Sequence, residues 1–327
     1  MSKSTSKVGK IIGIIAASIL GFVLVVLFLI RGVLLIGSHA RYGEFYKLMT
    51  REVGNPGLWA DYVPQGMTFN DDEGYYASCG YMKDGSQSRI YTVTKTGRSK
   101  KGKHAFYQLT SEGKPWSGHT GGLQYSNGNF YIASEQDGVF CFPASQLGSD
   151  GTAEIGPAIK VNNNSSFVFA DEKFIYVGEF AHVPQYPCVH NFSNGEIEHT
   201  AIMSKYRYGD FEHPVAVFSI PDEVQGVGVT ENGTMIVSRS WGIDFASYDV
   251  YKTDRIVPTE YTMDGAPVYF FAEPTHQIAS TYFSEDIDIA NGKLISMTEG
   301  AANKYYIGKF IFDYFIFSFN VEDLEKF

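Results

Sequence analysis

Pro221-Asp222-Glu223-Val224-Gln225-Gly226-Val227-Gly228-Val229-Thr230-Glu231-Asn232-Gly233-Thr234-Met235-Ile236-Val237-Ser238-Arg239-Ser240-Trp241-Gly242 reads as one β-hairpin. An alternating run from Gln225 to Val229 meets a Glu-Asn-Gly turn. A β-branched apolar run, Met235 to Val237, leads out of it to a polar exit at Ser238 and Arg239. Asn-Gly between two such runs is a strong short-range hairpin signal. Aligned on Gln225-Gly226-Val227, four further copies appear, starting at Gln65-Gly66-Met67, Gly121-Gly122-Leu123, Ser165-Ser166-Phe167 and Glu285-Asp286-Ile287. Each passes through a polar turn into a nearly continuous apolar run: Tyr75 to Cys79, Phe130 to Glu135, Phe174 to Glu179 and Leu294 to Glu299.

Copies about 45 to 60 residues apart suit a four-stranded propeller blade with its loops. One hairpin cannot bury both faces of an apolar second strand, whereas blades stacked around an axis can. The expectation is an all-β fold: a β-propeller of five blades by direct count, or six if one blade has diverged. A terminal strand is expected to complete the blade begun by the other end, which removes an exposed edge.

Residues 1–10 carry Lys3, Lys7 and Lys10, and Ile11 to Ile30 is an uninterrupted apolar run, followed by Arg31 and further apolar residues to Ile36. The run is long enough to span a bilayer. It exceeds the usual apolar core of a cleaved signal, so an uncleaved signal anchor is preferred over cleavage after Ser38-His39-Ala40. The flanking lysines favour a cytoplasmic N-terminus, with the propeller on the extracytoplasmic side of the cell membrane. The chain then divides into a tail (1–10), an anchor (11–36), a stalk (37–56) with a short amphipathic helix over Tyr42 to Val53, and the propeller (57–327).

The 327 residues carry a formal net charge of −10. The first 31 residues hold four basic side chains and no acids, so residues 32–327 carry −10 − 4 = −14. Nucleic acid is excluded as a partner of so acidic a body, because phosphate binding needs clustered positive charge. Cys79, Cys141 and Cys188 form no C-x-x-C pair. Buried free thiols are expected, with one Cys141–Cys188 bridge as the alternative.

Equivalent positions of all blades ring the axis. The first strands begin at Gln65, Gly121, Ser165, Gln225 and Glu285, and the second strands end at or near Cys79, Glu135, Glu179, Arg239 and Glu299, all at one end of the hairpins. His119 lies just before the second copy. A small polar molecule, glycan or peptide bound there would meet Gln65, His119, Gln225 and Arg239. Glu135, Glu179, Glu285 and Glu299 are candidate oxygen ligands for calcium. His119, Glu179 and Glu285 are candidate acid/base groups for a metal-assisted hydrolase or lactonase, or for a cyclase. The bland alternative is a ring in which Arg239 pairs with the acids across the channel and ties blades together. No G-x-S-x-G, H-E-x-x-H or phosphate-cradling glycine motif is present, so those enzyme classes have no support. Whether the protein is an enzyme stays open at this point.

Val63-Pro64-Gln65-Gly66-Met67, Gly118-His119-Thr120-Gly121-Gly122, Ile175 to Phe180, Ile220 to Gly226 and Ser238-Arg239-Ser240 together resemble a family of secreted or membrane-anchored bacterial β-propeller proteins with no assigned activity. The resemblance spans nearly all of residues 57–327 and implies a propeller outside the cytoplasm. Gln65-Gly66-Met67 leading to Ser78 and Gly80, then Ser88-Arg89, is similar to one blade of the plant-type glutaminyl cyclases, which are five-bladed. No catalytic residue carries over from that single blade.

Overall fold

A computed structural model describes residues 2–97, 99–148, 151–310 and 313–327. The chain forms two compact units, residues 1–43 and residues 44–327. The first is the helix Ser2–Arg41. Its segment Lys7–Arg41 is long and apolar enough to cross a membrane, a test that a signal sequence near the N-terminus also passes. At 1.5 Å per residue it extends about 50 Å, more than a bilayer core requires.

The second unit is a five-bladed propeller. Blade one runs outward from Tyr62–Asn70 through Tyr75–Met82 and Arg89–Thr96 to Ser99–Ser111. Blade two contains Gly122–Ser126, Asn129–Ser134 and Gly138–Pro143. Blade three contains Phe167–Ala170, Phe174–Gly178, Ala201–Arg207 and Ala216–Ile220. Blade four contains Val224–Val229, Met235–Trp241, Phe245–Tyr251 and His276–Ala279. Blade five contains Ser284–Ala290, Lys293–Thr298 and Phe315–Asn320, and its outermost strand is Thr50–Gly54. All five hairpins read from the repeat are therefore inner strand pairs, and the ring closes by pairing an early strand with the last one.

That closure corrects the helix expected over Tyr42 to Val53. Only Gly43–Leu48 is helical; Thr50–Gly54 pairs with Phe315–Asn320, so part of the expected stalk (37–56) is propeller. Phe45 is fully buried against the rings of Tyr248, Phe317 and Phe319, which draws the short helix onto the same unit. The strands Arg89–Thr96 and Ser99–Ser111 follow each other closely, so the basic stretch Lys100 to Lys103 is strand rather than loop; Arg98 lies outside the described residues. The terminal strand expected from the sequence is Phe315–Asn320; Ile311 and Phe312, before it, lie outside the described residues. The hairpin Ile256–Met263 and Ala266–Phe271, inserted in blade four, joins the edge of blade three, with Ala266–Phe271 parallel to Ala216–Ile220.

The five inner strands are close-packed at the axis. A methyl group on Gly66 would stand 2.4 Å from the Leu123 nitrogen, and one on Gly226 would stand 2.7 Å from Asp286 Oδ1. At this repeat position the blades carry Gly66, Gly122, Ser166, Gly226 and Asp286. Four small residues open the axis and the one large residue fills it. Asp286 Oδ2 accepts hydrogen bonds from the Met67 and Leu123 amides, at 3.2 and 2.9 Å. Two residues on, Asp288 accepts from Thr68 Oγ1, the Phe69 amide and Gln124 Nε2, each at 2.8 Å. Blade five thus fastens blades one and two through two buried carboxylates, and this polar plug separates the two ends of the axis.

Candidate functional site

The hairpin register explains how side chains reach the axial end. The antiparallel ladder slips between Pro64 and Gly66, between Val224 and Gly226, and between Ser284 and Ile287. Gln65 and Gln225 are the extra residues of the first two, and in the third Glu285 and Asp286 together stand opposite Met297. A β-bulge leaves one residue unpaired and re-aims its side chain. Three blades therefore carry a bulge at the positions expected to ring the axis.

Gln65 sits at the centre of a continuous hydrogen-bonded chain. Its Nε2 donates to Glu299 Oε2 at 2.7 Å, and its Oε1 lies 2.7 Å from His119 Nε2. A carboxamide oxygen is only an acceptor, so His119 carries its proton on Nε2 in this contact. Tyr305 OH donates to the other Glu299 oxygen at 2.6 Å. The His119 ring packs on Tyr81 with centroids 5.3 Å apart, and Lys304 donates to the Tyr81 hydroxyl. Three chain segments far apart in sequence meet here.

The electrostatics follow from burial. Glu285 and Glu299 are 3% and 7% exposed. Loss of water raises the Glu299 carboxyl to about 7, against the lowering effect of Tyr305, Lys304 and Gln65. Glu285 is held well above the ordinary carboxylate range by burial, then by the adjacent Glu299 and Asp286 charges. His119 keeps an exposed surface, yet the protein around it removes enough water to lower its pKa, and Lys304 lowers it further. The neutral ring, a carboxyl poised near neutrality and a second carboxyl held above its ordinary range form a group able to donate and accept hydrogen bonds and to move protons.

The backbone is strained beside this group. Phe283 has φ +61°, a conformation rare for a bulky residue, and its carbonyl accepts from the Glu299 amide at 3.1 Å. Its ring packs on Tyr305 at 4.5 Å. Strain of this kind persists only where the surroundings over-determine it.

The other expected members are placed differently. Glu135 contributes its charge to His119 and accepts from Ser166 Oγ at 2.9 Å, so it flanks the group. Gln225 turns to its own blade and donates to the Ser240 carbonyl. Glu179 is buried and committed to blade three. Its oxygens accept from the Ile202 and Asn164 amides, at 3.0 and 3.1 Å, and one lies 3.3 Å from His190 Nε2. Arg239 does not span the channel. Its guanidinium donates to Asp249 Oδ2 at 3.2 Å and to the Asp222 carbonyl at 2.8 Å, both within blade four or at its entrance. The strand that follows Arg239 supplies Asp249, and a pair made inside one hairpin costs less ordering than one made across the axis. The ring tied by Arg239 is thereby corrected. Of the four acids expected to bind calcium, Glu135 and Glu179 have the partners just named, and among the described residues no three His, Cys, Asp or Glu side chains are arranged to hold a metal ion.

Sequence reasoning missed Tyr81, Lys304 and Tyr305. The last two lie in the 3₁₀ segment Asn303–Phe310, outside the repeat. The only signal was position, a Lys-Tyr pair a few residues after the second-strand terminus Glu299. All three cysteines are free.

No protein-family model matches the chain, and no curated sequence does. Solved structures with similar architecture include the glutaminyl cyclase of Myxococcus xanthus, 8% identical, covering 83% of this chain and 92% of that one, TM-score 0.43. The PQQ-bound aldose sugar dehydrogenase of Streptomyces coelicolor is 11% identical, covering 76% of each chain, TM-score 0.39. BamB of Moraxella catarrhalis is 8% identical, covering 78% of this chain and 84% of that one, TM-score 0.31. These are propeller likenesses without chemical content, and the five blades rest on the sheet order itself. The resemblance to a family of secreted or anchored bacterial propellers finds no family model behind it.

Proposed function

We propose that the protein is a single-pass membrane protein that displays its propeller on the extracytoplasmic side and binds a small polar ligand at the axial end. Gln65, His119 and Glu299 make the contacts, with Tyr81, Lys304 and Tyr305 lining the approach. The supporting observation is the chain Tyr305–Glu299–Gln65–His119. It joins blade five, blade one and the loop before blade two at a point where one ring remains exposed. The lysines at 3, 7 and 10 support the orientation. The free donors of Lys304 and the acceptors of Glu299 suit a ligand with both an acceptor and a donor, such as a sugar, an amino acid derivative or a short peptide end.

A second reading has its own observation. A carboxyl raised to about 7, with a second buried carboxyl held above its ordinary range by the first one's charge, is an arrangement that general acid/base catalysis uses. The two readings separate by experiment. The full chain in detergent is screened against sugars, amino acid derivatives and dipeptides by thermal shift, with mass spectrometry on the same mixtures. A ligand whose stabilisation is lost in His119→Ala and Gln65→Ala supports the site, and product formation abolished by Glu299→Gln makes it catalytic. Stabilisation that survives both alanine variants overturns the proposal.

A further inference from the structure

The end of the axis opposite Gln65 is chemically unlike it. There the turns between inner and second strands of all five blades surround a cavity of about 1060 Å³. Asp71, Asp72, Asp171, Glu172, Glu231 and Glu322 line its outer part, and Glu325 and the buried Asp288 lie further in. Among the described residues, no Lys, Arg or His lines it. Glu325 is held by neutral donors, Thr230 Oγ1 at 2.6 Å and Asn232 Nδ2 at 3.0 Å, and Asp72 by the Tyr125 hydroxyl. The acids are ordered and remain without a counter-charge inside the cavity. A concave wall of one sign focuses its field inward and raises the local concentration of ions of the opposite sign.

A second observation points to the guest. Gln124 lines the cavity and is 3% exposed. Both hydrogens of its Nε2 are used, by Asp288 Oδ1 at 2.8 Å and the Tyr125 carbonyl at 3.1 Å. Because both partners are acceptors, the amide orientation is settled, and Oε1 is left buried without a donor. A buried acceptor with no partner costs stability unless something donates to it. Gln124 Oε1 next to Asp288 forms an acceptor pair that calls for a charged N–H group. A point cation suits the cavity less well. Among the described residues no three acids converge as metal ligands, and the carboxylates are spread over blades one, three, four and five rather than concentrated.

We propose that this cavity binds a linear aliphatic polyamine. One primary ammonium donates to Gln124 Oε1 and Asp288 at the inner end, and the remaining ammonium groups lie among the carboxylates of the turns of blades one, three and four and of Glu322 and Glu325. The site is independent of the axial group around His119, since the Asp286–Asp288 plug stands between them.

The test is isothermal titration of the full chain in a non-ionic detergent with spermidine. Magnesium and a spermidine acetylated at both primary amines serve as comparison probes. One spermidine per chain is expected. Affinity should drop about tenfold in the surface double variant Glu172→Gln/Glu231→Gln and on blocking the primary amines, with magnesium displacing spermidine poorly. Gln124→Met should weaken binding further with the fold intact. If that variant does not fold, the double variant and the blocked amine decide. No binding at low salt, several spermidines per chain, equal displacement by magnesium, or indifference to both the double variant and amine blocking would each overturn the proposal.

Discussion

Replacing Glu52 with Gln tests how the ring is closed. Glu52 lies in Thr50–Gly54, the strand that completes blade five, and is 3% exposed. Its carboxylate accepts from Lys293 Nζ at 2.7 Å and Ser318 Oγ at 2.6 Å, from Lys95, and from Tyr76 OH at 3.4 Å. One buried acid therefore joins blade five to blade one across the closure. Burial alone would raise its pKa; the Lys293, Lys95 and Ser318 hydrogen bonds outweigh that and lower it to about 2, from 4.5. A shift of that size corresponds to about 3 kcal/mol at most. The two lysine side chains are 40% and 45% exposed, so solvent screening reduces this to about 1.5–2 kcal/mol. Glu52→Gln should lower the Tm at pH 7 by about 3–8 °C for a domain of this size. The pKa is depressed in the folded state, so the contribution is present above pH 4.5 and is lost as pH falls from 4.5 towards 2. Differential scanning calorimetry of wild type and variant from pH 7 to pH 3 should show the two converging with acid. A gap that is constant, or that grows with acid, would refute the assignment of the charge to this closure.

The remaining predictions concern the axis and its end. Glu299→Gln should grow more stable relative to wild type between pH 5 and pH 8. A carboxyl raised to about 7 holds its proton in the fold, and the associated stability is lost as pH rises from 4.5 through 7; parallel melting profiles would contradict this. Gly66→Ala forces a methyl group to 2.4 Å from a backbone nitrogen of blade two and should cost several kcal/mol. Gly148→Ala, with nothing within 4 Å, should change stability by less than about 0.5 kcal/mol in the same urea titration. Asp288→Ala leaves Thr68, the Phe69 amide and Gln124 without their acceptor and should cost about 2–4 kcal/mol, read from the shift in chemical denaturation midpoint. Reductant should leave the Tm unchanged, because the three cysteines are free, and Cys79, whose thiol burial raises to about 12, should resist alkylation in the folded chain.

What was legible in the sequence was periodic. Hairpins repeat because each blade must bury the same two faces, so five copies of one pattern were enough to count blades and to place Gln65, His119 and Glu299 at one end. What was illegible depends on contacts between segments far apart in the chain. Thr-Arg-Glu-Val-Gly at 50–54 has no strand signature of its own; it is a strand because blade five offers it an open edge and because Glu52 finds Lys293 and Ser318 there. Arg239 had the right place in the repeat and went elsewhere, since Asp249 on the next strand was nearer than any acid across the axis. Lys304 and Tyr305 belong to no repeat, and only the folded ring brings them to Glu299. Asp286 is different in kind. It stands where three sibling blades have glycine and one has serine, a departure that the shared hairpin pattern passes over and that only the packed axis explains. In a repeat fold, positions where all copies agree report the core, and the position where one copy breaks ranks reports the part of the axis that single residue has to fill.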